Sequence, residues 1–136
     1  DRIDLNIELK TNISDTGLEA GVVALIESHD YAEHCVVAAK KPDSLKKIKS
    51  LDDSIQTIYL LPVAYGNYQN LSYIDGFSIK SSFITRKLVN HMHANGKAVY
   101  AWTVNEREDM ERMFSLGIDC LITDEPVQKR FSIHRN

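Results

Sequence analysis

Six short runs rich in β-branched and other apolar residues recur along the chain, with amphipathic helical patterns between them. The runs are Leu5–Lys10, Cys35–Ala39, Thr57–Leu61, Gly76–Ile79, Ala98–Val104 and Cys120–Thr123. Their starts lie about 20 to 30 residues apart, the length of one strand, one helix and two short connections. Strands alternating with helices in this way predict a parallel sheet with crossover connections. No internal sequence repeat, low-complexity stretch or interdomain linker breaks the cadence, so residues 1–136 read as one domain.

The intervening segments carry helix signals. Thr16 with Glu19 forms a capping-box pattern ahead of Val22, Val23, Leu25 and Ile26. Ser82 precedes Phe83, Leu88, Val89 and Met92, and Gly96 stands where a left-handed C-terminal residue is wanted. Asn105 with Glu108 is placed to cap a helix carrying Met110, Met113 and Phe114, which stops at Gly117. The apolar residues of these helices read as core.

Two architectures share this cadence, an open doubly wound sheet and a (β/α)8 barrel. Central strands of open sheets are apolar on both faces. The first run instead alternates, with Leu5, Ile7 and Leu9 separated by Asn6, Glu8 and Lys10. In a barrel the apolar set packs on the helices, while Glu8 and Lys10 point inward near the C-terminal end, where barrel enzymes keep their chemistry. An edge strand with one wet face produces the same alternation. Glu8 and Lys10 could bind a hard cation and a phosphate oxygen, or simply form an ion pair with each other. A complete barrel takes about 250 residues, so 136 residues suffice for only part of one. The start at Asp1 without Met, with a strand pattern almost at once, suggests a cut chain.

A net charge of −3 with both signs interspersed argues against a nucleic-acid binder. No apolar run approaches the roughly 18 residues of a membrane span, which suits a soluble fragment. Cys35 and Cys120 each begin an apolar run and read as buried thiols rather than a disulfide or metal pair.

Three segments resemble the glycerophosphodiester phosphodiesterases: Leu5-Asn6-Ile7-Glu8-Leu9-Lys10, the stretch from Gly96 to Asn105 containing Trp102-Thr103-Val104-Asn105, and Leu116 to Pro126. They occur in the family's order and span most of the chain. The resemblance implies a (β/α)8 barrel that hydrolyses glycerophosphodiesters to an alcohol and glycerol 3-phosphate with a divalent cation, usually Ca²⁺ or Mg²⁺. It implies that Glu8 is a metal ligand, that Lys10 acts beside the phosphate, and that Trp102 packs on substrate at the barrel mouth. The family's His-Arg-Gly strand, its further metal carboxylates and its second catalytic histidine have no counterpart here. Matched in order, the chain begins at the family's third strand and holds about the last six units, which predicts an inactive fragment. His29-Asp30 follows the Glu8 strand at a helix end, His134-Arg135-Asn136 lies past the last strand, and His91 and His93 diverge on a helix, so none substitutes.

Where the family often has Ser-Phe or Ser-Leu, this chain reads Ala38-Ala39-Lys40-Lys41-Pro42. With Lys46, Lys47 and Lys49 these lysines form a basic cluster, either a solvated face or an attractor for a phosphate head group or anionic membrane surface. Leu60 to Ala64 and Gly76 to Ile79 resemble the membrane-anchored branch, which implies a multi-pass parent with a soluble catalytic domain. Open barrel edges predict self-association. Two other readings compete: a barrel without chemistry serving as a lipid-binding or regulatory module, and a stand-alone flavodoxin-like binding domain. The missing glycine-rich phosphate loop counts against the second.

Overall fold

The computed structural model describes residues 3–10, 16–62 and 67–125. Six strands form one sheet: β1 (Leu5–Leu9), β2 (Cys35–Ala39), β3 (Gln56–Leu61), β4 (Gly76–Lys80), β5 (Ala98–Trp102) and β6 (Cys120–Leu121). Four helices accompany them: α1 (Leu18–Ser28), α2 (Pro42–Leu51), α3 (Arg86–Ala94) and α4 (Arg107–Leu116). Every strand pairs in parallel with the next in sequence, in the order β1-β2-β3-β4-β5-β6. A doubly wound sheet reverses its strand order at a switch point. This sheet never does, so it is a half-barrel and the open-sheet alternative falls.

The alternation of the strands divides the sheet into two chemistries. Outward positions Leu9, Val37, Ala39, Leu61, Phe77, Ile79, Val99 and Ala101 join one buried cluster with the helices. The helices contribute Val23 and Ile26, Leu45 and Ile48, Val89 and Met92, and Met110 and Met113. Full burial of each such side chain contributes roughly 1.5–3 kcal/mol. On the inner face Glu8, Ala38, Ile58, Gly76 and Ala98 share one register row. A Cβ at Gly76 would lie 2.9 Å from Ala98 Cβ, Ala98 O and Ile58 Cδ1, so glycine is what lets the strands close there.

Connections at the N-terminal end of the sheet repeat one device. Asp75, just ahead of β4, accepts the Thr57 N–H of β3 at 2.8 Å and pairs with Lys49 of α2 at 2.7 Å. Asp119, just ahead of β6, accepts the Val99 N–H of β5 at 2.7 Å and contacts His93 of α3 at 2.8 Å. Each aspartate also donates its own N–H to the carbonyl of the same strand residue. A strand start is thereby tied to its neighbour and to the helix that precedes that neighbour.

The helix starts differ from the sequence expectation. The Thr16–Glu19 capping box does not form. Gly17 caps α1 in the left-handed region at φ 89°, with no side-chain cap. Glu19 reaches across to α2, accepting from Ser44 Oγ at 2.8 Å and Lys47 Nζ at 3.3 Å. Ser81–Phe83 is a short 3-10 turn, and α3 begins later, capped by Thr85 Oγ1, which accepts the Leu88 N–H at 3.2 Å. Asn105 does not cap α4, whose cap residue is Glu106. Gly96 and Gly117 do adopt positive φ, 68° and 83°, at the ends of α3 and α4. Between β3 and β4 the described residues hold only a 3-10 turn, Tyr68–Asn70, where a segment with Pro62, Asn67 and Asn70 favours turns over helix. Both cysteines are free, Cys35 buried and Cys120 half-buried.

The Glu19 carboxyl is held below its ordinary value, first by its backbone amide and then by Ser44 and Lys47, with burial opposing. A carboxyl depressed in the folded state contributes stability above its unfolded value near 4.5, and that contribution is lost as pH falls through the folded value. Glu19→Gln is expected to cost about 1.5–3 kcal/mol at neutral pH, the range for hydrogen bonds to a charged group. It should also flatten the acid limb of stability below pH 4.5, as read by urea unfolding across pH.

Candidate functional site

Residues from four strands and from the segments that follow β2, β5 and β6 meet at the C-terminal end of the inner face. Glu8, Lys40, Leu60, Ser78, Trp102, Thr103 and Ile122 line one open cavity of about 220 Å³. These residues do not lie in one hydrogen-bonded row. Glu8 pairs with Ala38, whereas Leu60 pairs with Ser78, and Lys80 with Trp102. The lining climbs through the register from β1 to β6, as tilted barrel strands require.

Of the residues expected from sequence, Glu8 and Trp102 are brought together here. Lys10 is exposed one residue past the end of β1 and is not among the residues lining the cavity. Lys40, exposed just after β2, is the lysine of the lining instead. Ser78 was not singled out by the sequence, although its polar position between Phe77 and Ile79 marks the inner face by alternation. Ser78 Oγ and Trp102 Nε1 are buried and have no hydrogen-bond partner among the described residues.

The two sequence blocks around Trp102 and Asp124 brace each other. Asn105 Oδ1 accepts from Thr123 Oγ1 and from the Asp124 N–H, both at 3.0 Å. Asn105 Nδ2 donates to Asp124 Oδ2 at 3.3 Å, and the Glu125 N–H bonds to Thr123 Oγ1 at 3.0 Å. The side chain expected to cap α4 is thus a clamp between the ends of β5 and β6, and it fixes the backbone that carries Trp102 and Thr103.

A hard divalent cation wants about six oxygen ligands. Among the described residues no group of three or more His, Cys, Asp or Glu could hold a metal ion. Glu8 is a single carboxylate at the cavity, so these residues do not by themselves make a metal site. The described histidines lie elsewhere. His29 closes α1 and contacts the Leu25 carbonyl, His34 pairs with Asp4 at 3.0 Å, and His91 and His93 belong to α3. His134 lies outside the described residues.

A larger cavity of about 430 Å³ opens at the N-terminal end, lined in part by Asn6, His34, Gln56, Tyr100 and Cys120. Its Tyr100 and Cys120 side chains are held back from ionising by their surroundings. Burial, reinforced by Asp119, pushes the Cys120 thiol up. Burial, with Cys120 and Asp119 adding to it, likewise pushes the Tyr100 hydroxyl up. Both stay protonated, and neither is a ready nucleophile.

Asn105→Ala is expected to lower unfolding free energy by about 1–3 kcal/mol, because Thr123 and the Asp124 amide lose their acceptor. Asp124→Asn, which keeps the backbone N–H bonded to Asn105 Oδ1 and a side-chain oxygen to accept from Asn105 Nδ2, should cost less in the same denaturant titration.

The glycerophosphoryl diester phosphodiesterase family matches residues 6–128. The chain is 27% identical over 126 residues to a glycerophosphodiester phosphodiesterase of Caldanaerobacter subterraneus, covering 90% of this chain and 52% of that protein. It is 25% identical over 130 residues to one from Arabidopsis thaliana, covering 92% and 39%. Its fold matches a crystal structure of a glycerophosphodiester phosphodiesterase from Parabacteroides distasonis with TM-score 0.79 at 21% identity, covering 93% of this chain and 55% of that one. An Oleispira antarctica phosphodiesterase solved with sn-glycerol-3-phosphate matches with TM-score 0.74 at 24% identity, covering 92% and 53%. The chain therefore spans about half the length, or less, of the relatives it matches. With the match running from β1 past β6, this chain belongs to the glycerophosphoryl diester phosphodiesterase family.

Proposed function

We propose that the chain is the C-terminal part of a catalytic barrel that hydrolyses glycerophosphodiesters to an alcohol and glycerol 3-phosphate. The observation that carries this reading is the convergence of Glu8 and Trp102, from two separated sequence blocks, on one cavity at the C-terminal end of the half-barrel. In this reading Glu8 is one carboxylate on a divalent cation, Ca²⁺ or Mg²⁺, whose other ligands lie outside the described residues. Trp102 packs on the substrate, and Lys10, one residue past the end of β1, stands beside the phosphate. The Oleispira relative's glycerol 3-phosphate is named as that enzyme's product, which suits the same substrate class here.

The chain alone is inactive in this account. General acid–base catalysis needs a group within hydrogen-bond reach of the transferred proton, and none of the described histidines lines the cavity. The parent is a member of the membrane-anchored branch, in keeping with the resemblance of Leu60 to Ala64 and Gly76 to Ile79. No described helix is long and apolar enough to cross a membrane, so the anchor belongs to other residues. The same lack of histidines at the cavity favours, as the second reading, a barrel that binds lipid without turnover.

The test is release of glycerol 3-phosphate from glycerophosphodiesters by the full-length protein, with Ca²⁺ or Mg²⁺ and with chelator. Metal-dependent turnover reduced more than about 100-fold by Glu8→Gln is expected, beyond the ~10–100-fold seen when outer partners of a metal are lost. A folded full-length protein without turnover on any such diester would give the assignment to the non-catalytic module.

The isolated chain self-associates through the β1 edge. Leu5 there is 46% exposed, Leu25 of α1 is 62% exposed, and both border an apolar groove of about 260 Å³ with Ile7, Ile26 and Tyr31. Sedimentation is expected to show a dimer or larger species that Leu25→Glu weakens. A monomer at micromolar concentration contradicts this.

A further inference from the structure

The unpartnered polar atoms of the cavity say more than the metal reading does. Ser78 is 1% exposed, and its hydroxyl has no hydrogen-bond partner among the described residues. The Trp102 indole N–H is in the same position. A buried polar group left unmatched costs roughly 1–3 kcal/mol. Such groups in a folded chain call for a function when they share a site. Both residues line the cavity that also takes Lys40. Their chemistry is one-sided. An indole N–H and an ammonium can only donate, and a serine hydroxyl can donate as well. The ligand atom that satisfies all three is an acceptor, best an anionic oxygen, since charge-assisted bonds of this kind are about twice as strong as neutral ones.

Glu8, on β1 beside the strand end that carries Lys40, can meet no such oxygen directly. It accepts a hydroxyl or faces a cation. The cavity thus combines donors from the ends of β2, β4 and β5 with an acceptor from β1. A phosphate monoester carrying neighbouring hydroxyls has the matching polarity. Leu60, Thr103 and Ile122 complete the lining.

We propose that Lys40, Ser78 and Trp102 form an oxyanion-binding cradle that holds a phosphate oxygen of the ligand by itself, without help from a divalent cation. This rests on the reading of the cavity as a phosphodiester site, and it adds a second hold on the phosphate independent of Glu8. The two ideas fail separately. Turnover in the full-length protein depends on Glu8 and metal, whereas binding to the cradle survives both chelator and Glu8→Gln.

The chain has one tryptophan, so its single indole N–H resonance reports on the cradle directly. The titration uses this chain in excess chelator, with glycerol 3-phosphate, inorganic phosphate, glycerol and sulfate as separate arms. Glycerol 3-phosphate is expected to move the indole resonance saturably and to bind tighter than inorganic phosphate, while glycerol leaves it unmoved. Lys40→Gln and Ser78→Ala should each weaken binding about tenfold, the loss expected for one hydrogen bond to a charged group. Lys46→Gln, an exposed lysine on α2 outside the cavity, should bind as the unchanged chain does. Glu8→Gln should still bind in chelator, since it removes a negative charge near the anion and keeps a side-chain oxygen that can accept the hydroxyls. The proposal is overturned if the shift vanishes with chelator, if sulfate or glycerol reproduces it equally, or if Lys46→Gln weakens binding as much as Lys40→Gln. Preference for inorganic phosphate over glycerol 3-phosphate would overturn the part played by the hydroxyls and Glu8.

Discussion

Everything in this molecule depends on parallel pairing of each strand with the next in sequence, β1 to β6 without a reversal. Because side chains alternate along a strand, that single order puts one set of residues under the helices and the other set into the barrel interior. The outward set is almost wholly apolar and closes the core with α1 to α4. The inward set can then be polar at its ends. Glu8, Ser78 and Trp102 are three chain segments apart in sequence, yet strand tilt brings them to one cavity. A sheet with a switch point would have divided them between two sides.

The two ends of the sheet are built for different purposes. At the N-terminal end carboxylates are engaged internally: Asp75 and Asp119 each accept a strand amide, and Asp75 meets Lys49 of α2 while Asp119 meets His93 of α3. The half-buried Tyr100 and Cys120 beside Asp119 are kept neutral. At the C-terminal end the polar atoms of Ser78 and Trp102 remain unmatched while Asn105 locks the surrounding backbone. Stability at one face and chemistry at the other is the usual division in barrels of this kind.

Much of the fold could be read from the sequence because it rests on local pattern. Cys35–Ala39 has the bounds expected, and the other strands differ by a few residues at their ends. The positive-φ glycines at 96 and 117 also follow from local rules. What misled was every side chain with two possible partners. Glu19 and Asn105 sit at capping spacing, but Glu19 gains Ser44 and Lys47 on α2 and Asn105 gains Thr123 and Asp124 after β6. Those partners are distant in sequence, and their bonds outweigh a solvent-exposed cap. For the site, Glu8, Lys40 and Trp102 stood out through motif or charge. Ser78 did not, since a serine in an apolar strand announces nothing until the burial of its hydroxyl is known. Lys10 was expected beside Glu8 by alternation, yet β1 ends at Leu9.

The strand order is the claim on which the cavity stands, and cross-strand proton contacts measured by NMR test it most directly. The account predicts contacts between β1 and β2 around Ile7 and Val37, and between β4 and β5 around Phe77 and Val99, with β1 and β6 at the two ends of the described strand order within one chain. Contacts inserting β1 between two later strands of the same chain would contradict the half-barrel and separate Glu8 from Trp102.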